Sequence, residues 1–215
     1  PVLAQMAALP AGSSHLEKRG VESGKEGQLA SALRDLEQAA AAQPERGSVR
    51  INLGTALALS GSVDRAIDEY REAIRLDPEA PQAHFNLATL LARKGQQQEA
   101  REHFRQAVTI DPDYTDAHLG LGDLAASQGD HAAAAAHYAR VIALDPRHRA
   151  ARLNHALALA GDGRYAGAKA ALQEARAVLP DSMLIAHALA RLLAAAPDAE
   201  LRDGPLALEL ALAAY

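Results

Sequence analysis

Apolar residues along the chain recur at the spacing of amphipathic helices. Two segments, 48–59 and 63–76, show this clearly, because their apolar residues return at steps of three and four. Such steps line one face of an α-helix. We therefore predict one helix over each segment, with a turn at Gly61 between them. The residues concerned are Val49, Leu53, Ala56 and Leu57 in the first segment and Ala66, Tyr70, Ala73 and Ile74 in the second.

The same pattern returns every 34 residues. Three residue types keep this step through five units, and independent columns that share one period are the signature of a repeat protein. Places within a unit are numbered from its first residue, so that Gly47 is place 1 of the second unit. The columns are prolines 44, 78, 112, 146 and 180, glycines 27, 61, 95, 129 and 163, and alanines 32, 66, 100, 134 and 168. The units are 13–46, 47–80, 81–114, 115–148 and 149–182.

Each recurring place has a physical role. Small residues at places 8 and 20 allow two helices to approach closely. Glycine at place 15 suits the left-handed conformation that ends many helices, and proline at place 32 cannot continue the second helix. A bulky residue at place 24 fills the space that place 8 leaves. The Asp before the proline, at 77, 111 and 145, is ordinary turn chemistry, which we prefer to an acidic ladder that binds a cation.

These places resemble the tetratricopeptide repeat, which also has 34 residues, two antiparallel helices (A and B) and a closing proline. The resemblance is strongest in "SVRINLGTALALSGSVDRAIDEYREAIRLDP" (48–78) and covers about four-fifths of the chain. It implies an all-α fold, a right-handed superhelical solenoid of antiparallel helix pairs. Its A helices would line a concave groove that holds peptides or partner helices.

The two ends depart from the repeat. Residues 1–12 match no unit, and we expect a linker or a short helix on the first repeat. The first A helix contains glycines 20 and 24, which weaken a helix, so we expect it to be frayed or to act as a cap. Residues 183–215 predict a modified sixth unit that closes the array. The chain begins at Pro1, and we expect it to be processed or part of a longer protein.

Composition excludes several classes of function. The net charge of −5 lacks the basic footprint of a nucleic-acid-binding protein. No cysteine is present, which excludes disulfides and thiolate ligands. No apolar run approaches the roughly 20 residues of a membrane span, so no membrane insertion is expected. The excess of arginine over lysine indicates a bacterial source.

Catalytic and metal sites are not expected from the motifs. The chain has no Gly-x-Ser-x-Gly elbow, P-loop or dinucleotide fingerprint. Nine histidines invite a metal hypothesis, but none shows the i, i+4 spacing of a helical zinc site. His84 and His118 hold the same place in successive units, as do His103 and His137, and such equivalents lie about 10 Å apart. We therefore expect no enzyme activity, no cofactor and no metal.

The A-helix groove is the predicted binding site. The resemblance assigns places 2, 5, 6, 9, 12 and 13 to it. Asparagine recurs at place 6 and resembles the asparagine ladder of O-linked N-acetylglucosamine transferases, although Gly120 interrupts the row. Place 5 is apolar, which is unusual for a wet surface. The candidate contact residues are Ile51, Asn52, Thr55, Gln82, Phe85, Asn86, Thr89, Arg93, Asp116, Leu119, Asp123, Leu153 and Asn154.

Three functional hypotheses remain open at this point. The first is an interaction scaffold that holds a protein or peptide ligand in the groove, with a solvated helix face as the simpler alternative. The second is an assembly module, in which the apolar segment Leu206 to Tyr215 mediates self-association. The third is the non-catalytic arm of a larger protein such as a glycosyltransferase. Most of the residues that clamp chaperone tails in this family are missing here, so we do not expect that ligand.

Overall fold

The computed structural model describes residues 14–212, and over that range the chain is all α-helical, with no strand. The expectations for residues 1–12 and for the last three residues therefore lie outside the described part. The helices are α1 (His15–Lys25), α2 (Leu29–Ala42), α3 (Gly47–Leu59), α4 (Val63–Leu76), α5 (Pro81–Arg93), α6 (Gln97–Ile110), α7 (Thr115–Ser127), α8 (His131–Leu144), α9 (Arg149–Gly161), α10 (Tyr165–Val178), α11 (Met183–Ala195) and α12 (Gly204–Leu212), with a 3-10 turn at Ala199–Leu201. The two helices predicted over 48–59 and 63–76 are confirmed to within one residue.

The chain divides into two compact units at the boundary between the third and fourth repeats. We call the described residues 14–114 the N-terminal unit and 115–212 the C-terminal unit. In the N-terminal unit each A helix packs on its own B helix, and each B helix packs on the next A helix. The C-terminal unit repeats this order from α7 to α11, and α12 packs on α11.

The glycine turns have the predicted left-handed conformation. All five glycines at place 15 have φ between +76° and +87°, a region that costs glycine nothing. The Ser62 amide donates to the Leu57 carbonyl at 2.8 Å across one of these turns, which is the long bond of a Schellman motif. At the second turn, the Asp77 side chain accepts from the Glu79 amide at 3.1 Å. This bond agrees with the prediction that Asp77 serves the turn and is not part of an acidic ladder.

Small and bulky places interlock between the two helices of a repeat. A Cβ added to Gly54 would lie 2.7 Å from Cε1 of Tyr70, and one added to Gly122 would lie 2.7 Å from Cε1 of Tyr138. Tyr70 is fully buried as a result. Glycine at place 8 therefore allows the A helix to rest on the tyrosine ring, as the sequence predicts.

The first and last helices show how the array departs from its repeat. The expectation of a frayed first helix is not met, because α1 runs without a break through Gly20 and Gly24. Arg19, where leucine is usual, pairs with the buried Asp35 of α2. At the other end, the Asp203 side chain accepts from the Leu206 amide at 3.0 Å and so caps the start of α12. In the described part of the chain, no helix is both long and apolar enough to cross a bilayer.

Candidate partner-binding surfaces

The predicted groove residues of the N-terminal unit are buried. Ile51 is 6% exposed and Phe85 is 5% exposed, so the expectation of an apolar surface at place 5 is wrong for both residues. The Phe85 ring lies 5.8 Å from the ring of Phe104 and 5.3 Å from that of Tyr114, measured between centroids. Such tilted aromatic pairs stabilise a core beyond the area that they bury. Phe85 is therefore a packing residue of the third repeat.

The two asparagines of the predicted ladder in this unit are also buried, at 0% and 1% exposed for Asn52 and Asn86. The Nδ2 and Oδ1 atoms of both side chains have no hydrogen-bond partner. An unpaired amide in a protein interior is destabilising by about 1–3 kcal/mol. Packing alone therefore gives no reason for asparagine at either position.

The remaining predicted residues of the N-terminal unit are mixed in exposure. Thr55 is fully buried, and its hydroxyl donates to the Ile51 carbonyl at 2.9 Å and lies 3.1 Å from the Tyr70 hydroxyl. Thr89 is half-buried and bonds in the same way to the carbonyl four residues earlier. Gln82 is half-buried and Arg93 is exposed. Only Arg93 of the predicted set presents an open side chain in this unit.

The predicted residues of the C-terminal unit are more open. Asp116, Leu119, Leu153 and Asn154 are half-buried, whereas Asp123 is exposed. The Tyr138 hydroxyl donates to Asp123 Oδ1 at 2.7 Å and also hydrogen bonds with the Asn154 side chain. Burial, and then the neighbouring Asp123, raise the pKa of Tyr138. These polar residues line a recess of about 280 Å³ together with Leu157.

A large cleft in the C-terminal unit was only partly anticipated. It encloses about 1230 Å³ between α9, α10, α11 and α12, and its lining is mostly apolar. Leu157 and Leu184 line it with 53% and 59% of their surfaces exposed. The polar side chains of its lining are Tyr165 of α10 and His187 and Arg191 of α11. Of the thirteen candidate residues, only Leu153 lines this cleft.

The sequence contained a signal for these missed residues. If the sixth unit begins at Met183, then Leu184, His187 and Arg191 hold places 2, 5 and 9, which the family resemblance assigns to the groove. Leu157 holds place 9 of the fifth unit. The modified last unit differs from the regular repeats, because α12 stands in place of a B helix and forms one wall of the cleft.

Comparison with known proteins supports the repeat assignment. Models described as tetratricopeptide repeat match residues 19–81, 60–115, 91–153 and 125–192. The crystal structure of MamA protein is similar at 22% identity and a TM-score of 0.69, over 77% of this chain and 90% of that one. YrrB, described as a TPR protein with an unusual peptide-binding site, is 23% identical, with a TM-score of 0.68 over 82% of this chain and 91% of its own. A tetratricopeptide repeat protein from Parabacteroides merdae is 20% identical, with a TM-score of 0.70 over 82% of this chain and 70% of its own. The search of curated proteins found no match.

Proposed function

The chain belongs to the tetratricopeptide repeat family, and we propose that it is a non-catalytic interaction scaffold whose A-helix surface holds a peptide or partner helix. The primary contact is the cleft of the C-terminal unit. The observation that carries this proposal is the concentration of exposed leucines around a concave apolar surface. Exposed apolar patches of this kind mark interaction sites in soluble proteins.

The cleft favours a ligand with aliphatic side chains at helical spacing. Leu153 and Leu157 are one turn apart on α9, and Leu184 and His187 are one turn apart near the start of α11. An amphipathic helix presents anchors at i, i+3, i+4 and i+7 that fit such a groove. Arg191 is exposed at the cleft, where it favours a ligand with a carboxylate beside its apolar face.

The asparagines of the N-terminal unit are a second element of the proposal. An amide offers both a donor and an acceptor to a peptide backbone, and Asn52 and Asn86 have both capacities unused. Because their side-chain atoms are buried, contact with a ligand requires the side chains to rotate. We therefore assign them a supporting role, behind the open cleft. Phe85, which packs as a core residue, is unsuitable as a reporter of binding.

The test uses paired charge substitutions. Leu157→Asp with Leu184→Asp places two carboxylates in the apolar cleft, and we expect loss of partner capture from a lysate of the source organism. Leu59→Asp is the matched control, because Leu59 is 36% exposed on α3 in the other unit. All proteins must show equal helicity by circular dichroism. A partner that the double variant retains would place the contact outside the cleft and refute the proposal.

Self-association through α12 is a second candidate. Leu208 and Leu212 are 62% and 67% exposed and lie one turn apart on the helix. Analytical ultracentrifugation across a concentration series tests this candidate. We expect the average mass to rise with concentration for the parent chain and to remain at the monomer value for Leu208→Glu with Leu212→Glu. A parent chain that stays monomeric throughout the series would exclude it.

A further inference from the structure

Places 4 and 23 of a repeat face each other across its two helices. In the second repeat these places hold Arg50 and Glu69, and Arg50 Nη1 donates to Glu69 Oε2 at 3.0 Å. In the third repeat they hold two histidines, with Nδ1 of His84 3.0 Å from Nδ1 of His103. The fourth repeat has the same arrangement, with Nδ1 of His118 3.3 Å from Nδ1 of His137. Two successive repeats thus replace an ion pair with a pair of imidazoles.

His84 and His118 hold equivalent places in neighbouring repeats, as do His103 and His137, and the expected spacing of about 10 Å between such places is too long for a shared ion. The histidines that meet lie 19 residues apart, one on the A helix and one on the B helix of the same repeat. The ion pair between Arg50 and Glu69, also 19 residues apart, marks the same two places.

The separation of the nitrogens suits a shared metal ion. Zinc–imidazole bonds are about 2.0–2.1 Å long, so two nitrogens 3.0–3.3 Å apart would subtend an angle of about 90–110° at an ion bound to both. The angle between adjacent ligands of a tetragonal Cu²⁺ or Ni²⁺ ion lies at the lower end of this range. The angle between the ligands of a tetrahedral ion lies at the upper end. Imidazole is a preferred ligand of all these ions.

The surroundings of His84 prepare its Nδ1 atom for this role. Nε2 of His84 lies 3.1 Å from the Pro78 carbonyl oxygen. Because a carbonyl only accepts, Nε2 carries the hydrogen and Nδ1 keeps its lone pair. A metal-binding histidine commonly donates its other ring N–H to a carbonyl in this way. Burial lowers the pKa of both His84 and His103, which favours the neutral form that binds metals.

We propose that His84 and His103 chelate a divalent transition-metal ion through their Nδ1 atoms, and that His118 and His137 form a second site of the same kind. His103 donates from Nδ1 to His84 in the metal-free pair, so binding moves that hydrogen to Nε2 of His103 and releases no net proton. Water completes the coordination, since the described residues contain no group of three or more candidate ligands. The ion clamps the A helix to the B helix of its own repeat.

The experiment is calorimetric titration of the full chain, carrying no histidine tag, with Ni²⁺ at neutral pH. We expect saturable binding of two ions per chain and a rise in melting temperature with Ni²⁺, because binding to the folded state stabilises it. His84→Arg with His103→Glu should remove one site. This pair is drawn from the second repeat, so the variant restores a cross-helix contact that the fold already uses. His118→Arg with His137→Glu should remove the other site.

Two further variants make the outcome decisive. His103→Gln keeps a polar side chain and loses one ligand, and loss of a ligand should weaken binding at that site by at least the roughly 10–100-fold that loss of an outer-shell partner causes. His15→Arg is the control, because His15 is exposed on α1, and it should leave both sites intact. Electron paramagnetic resonance of the Cu²⁺-loaded chain should show coupling to two nitrogens at each site. Absence of saturable binding, or unchanged binding in the Arg–Glu variants, would overturn the proposal.

Discussion

The A-helix surfaces of the two compact units differ although both units follow one repeat pattern. In the N-terminal unit α3 is buried at every position from Ile51 to Ala58, including the places that the family resemblance assigns to a groove. In the C-terminal unit the equivalent places are half-buried or exposed, and Leu157 and Leu184 stand open in a cleft. The repeat pattern therefore determines which residues pack between the two helices of a pair. It does not determine how exposed the groove places are.

The contacts between the A and B helices explain why helix pairing is so regular in both units. Place 8 meets place 24 in both units, and Gly54 and Gly122 lie against tyrosines in the same geometry. Place 9 supplies a hydrogen-bond partner for that tyrosine, from Thr55 in one unit and Asp123 in the other. These contacts involve only the two helices of one repeat. The exposure of the groove face depends on further side chains that pack against it, and the 34-residue period does not encode them.

The largest expected effect comes from truncating the buried face of the N-terminal unit. Phe85→Ala should lower the free energy of unfolding by about 3–5 kcal/mol, because it removes a buried ring that contacts two others. Leu157→Ala, on the open face of the C-terminal unit, should change it by no more than about 0.5 kcal/mol. Urea denaturation followed by circular dichroism measures both. Equal losses would mean that the two faces do not differ in packing.

The second prediction tests the contact between glycine and tyrosine that the two units share. Gly54→Ala and Gly122→Ala each bring a Cβ within 2.7 Å of a tyrosine ring, and such overpacking should lower the free energy of unfolding by about 1–3 kcal/mol. We expect the two losses to be similar, one in each unit. Gly204→Ala is the control, since a Cβ there meets no atom within 4 Å, and it should be nearly neutral. A large loss in one unit alone would show that the interlocking layer is not common to both.

The sequence predicted the helix pairs because each recurring place has a local cause. Glycine at the turn, proline after the B helix and the contact between places 8 and 24 all act within one repeat, and the structure shows each of them. The groove was harder to predict, because Phe85 packs on Tyr114 at place 34 of its own repeat. That place holds Ala80 and His148 in the neighbouring repeats, so it belongs to no recurring column. The cleft was missed because α12 replaces a B helix there. The histidine pairs were missed because places 4 and 23 lie 19 residues apart on different helices and come together only in the folded repeat.

The third prediction concerns asparagine at place 6. Asn86 is buried with an unpaired amide, so Asn86→Leu should raise the free energy of unfolding by about 1 kcal/mol. Asn154 is half-buried and hydrogen bonds with the Tyr138 hydroxyl, so Asn154→Leu should lower it by about 1 kcal/mol. Thermal and urea denaturation of both variants give the signs. Loss of stability in Asn86→Leu would show that its amide has a partner in solution.

The smallest effect is a difference in pH dependence at place 7. This place is leucine in the second, third and fourth repeats and His155 in the fifth. Burial, and then the charge of Arg164, lower the pKa of His155, with a further lowering by Arg152 and an opposing influence of Glu174. The unfolded chain therefore binds the proton first as pH falls below about 6.5. Neutral His155 therefore contributes to the free energy of unfolding above that pH. This contribution is lost as the pH falls through the lowered folded-state pKa of His155.

His155→Leu should remove this dependence, so that the variant loses less stability than the parent chain between about pH 7 and pH 5. The reciprocal change, Leu121→His, places an imidazole at the same buried place of the fourth repeat and should steepen the acid loss. Urea denaturation at several pH values measures the slopes. Parallel slopes for the parent chain and His155→Leu would mean that the imidazole keeps its ordinary pKa in the folded state. Both positions lie in the C-terminal unit. The two variants therefore report on place 7 alone, and the difference in groove exposure between the units does not enter.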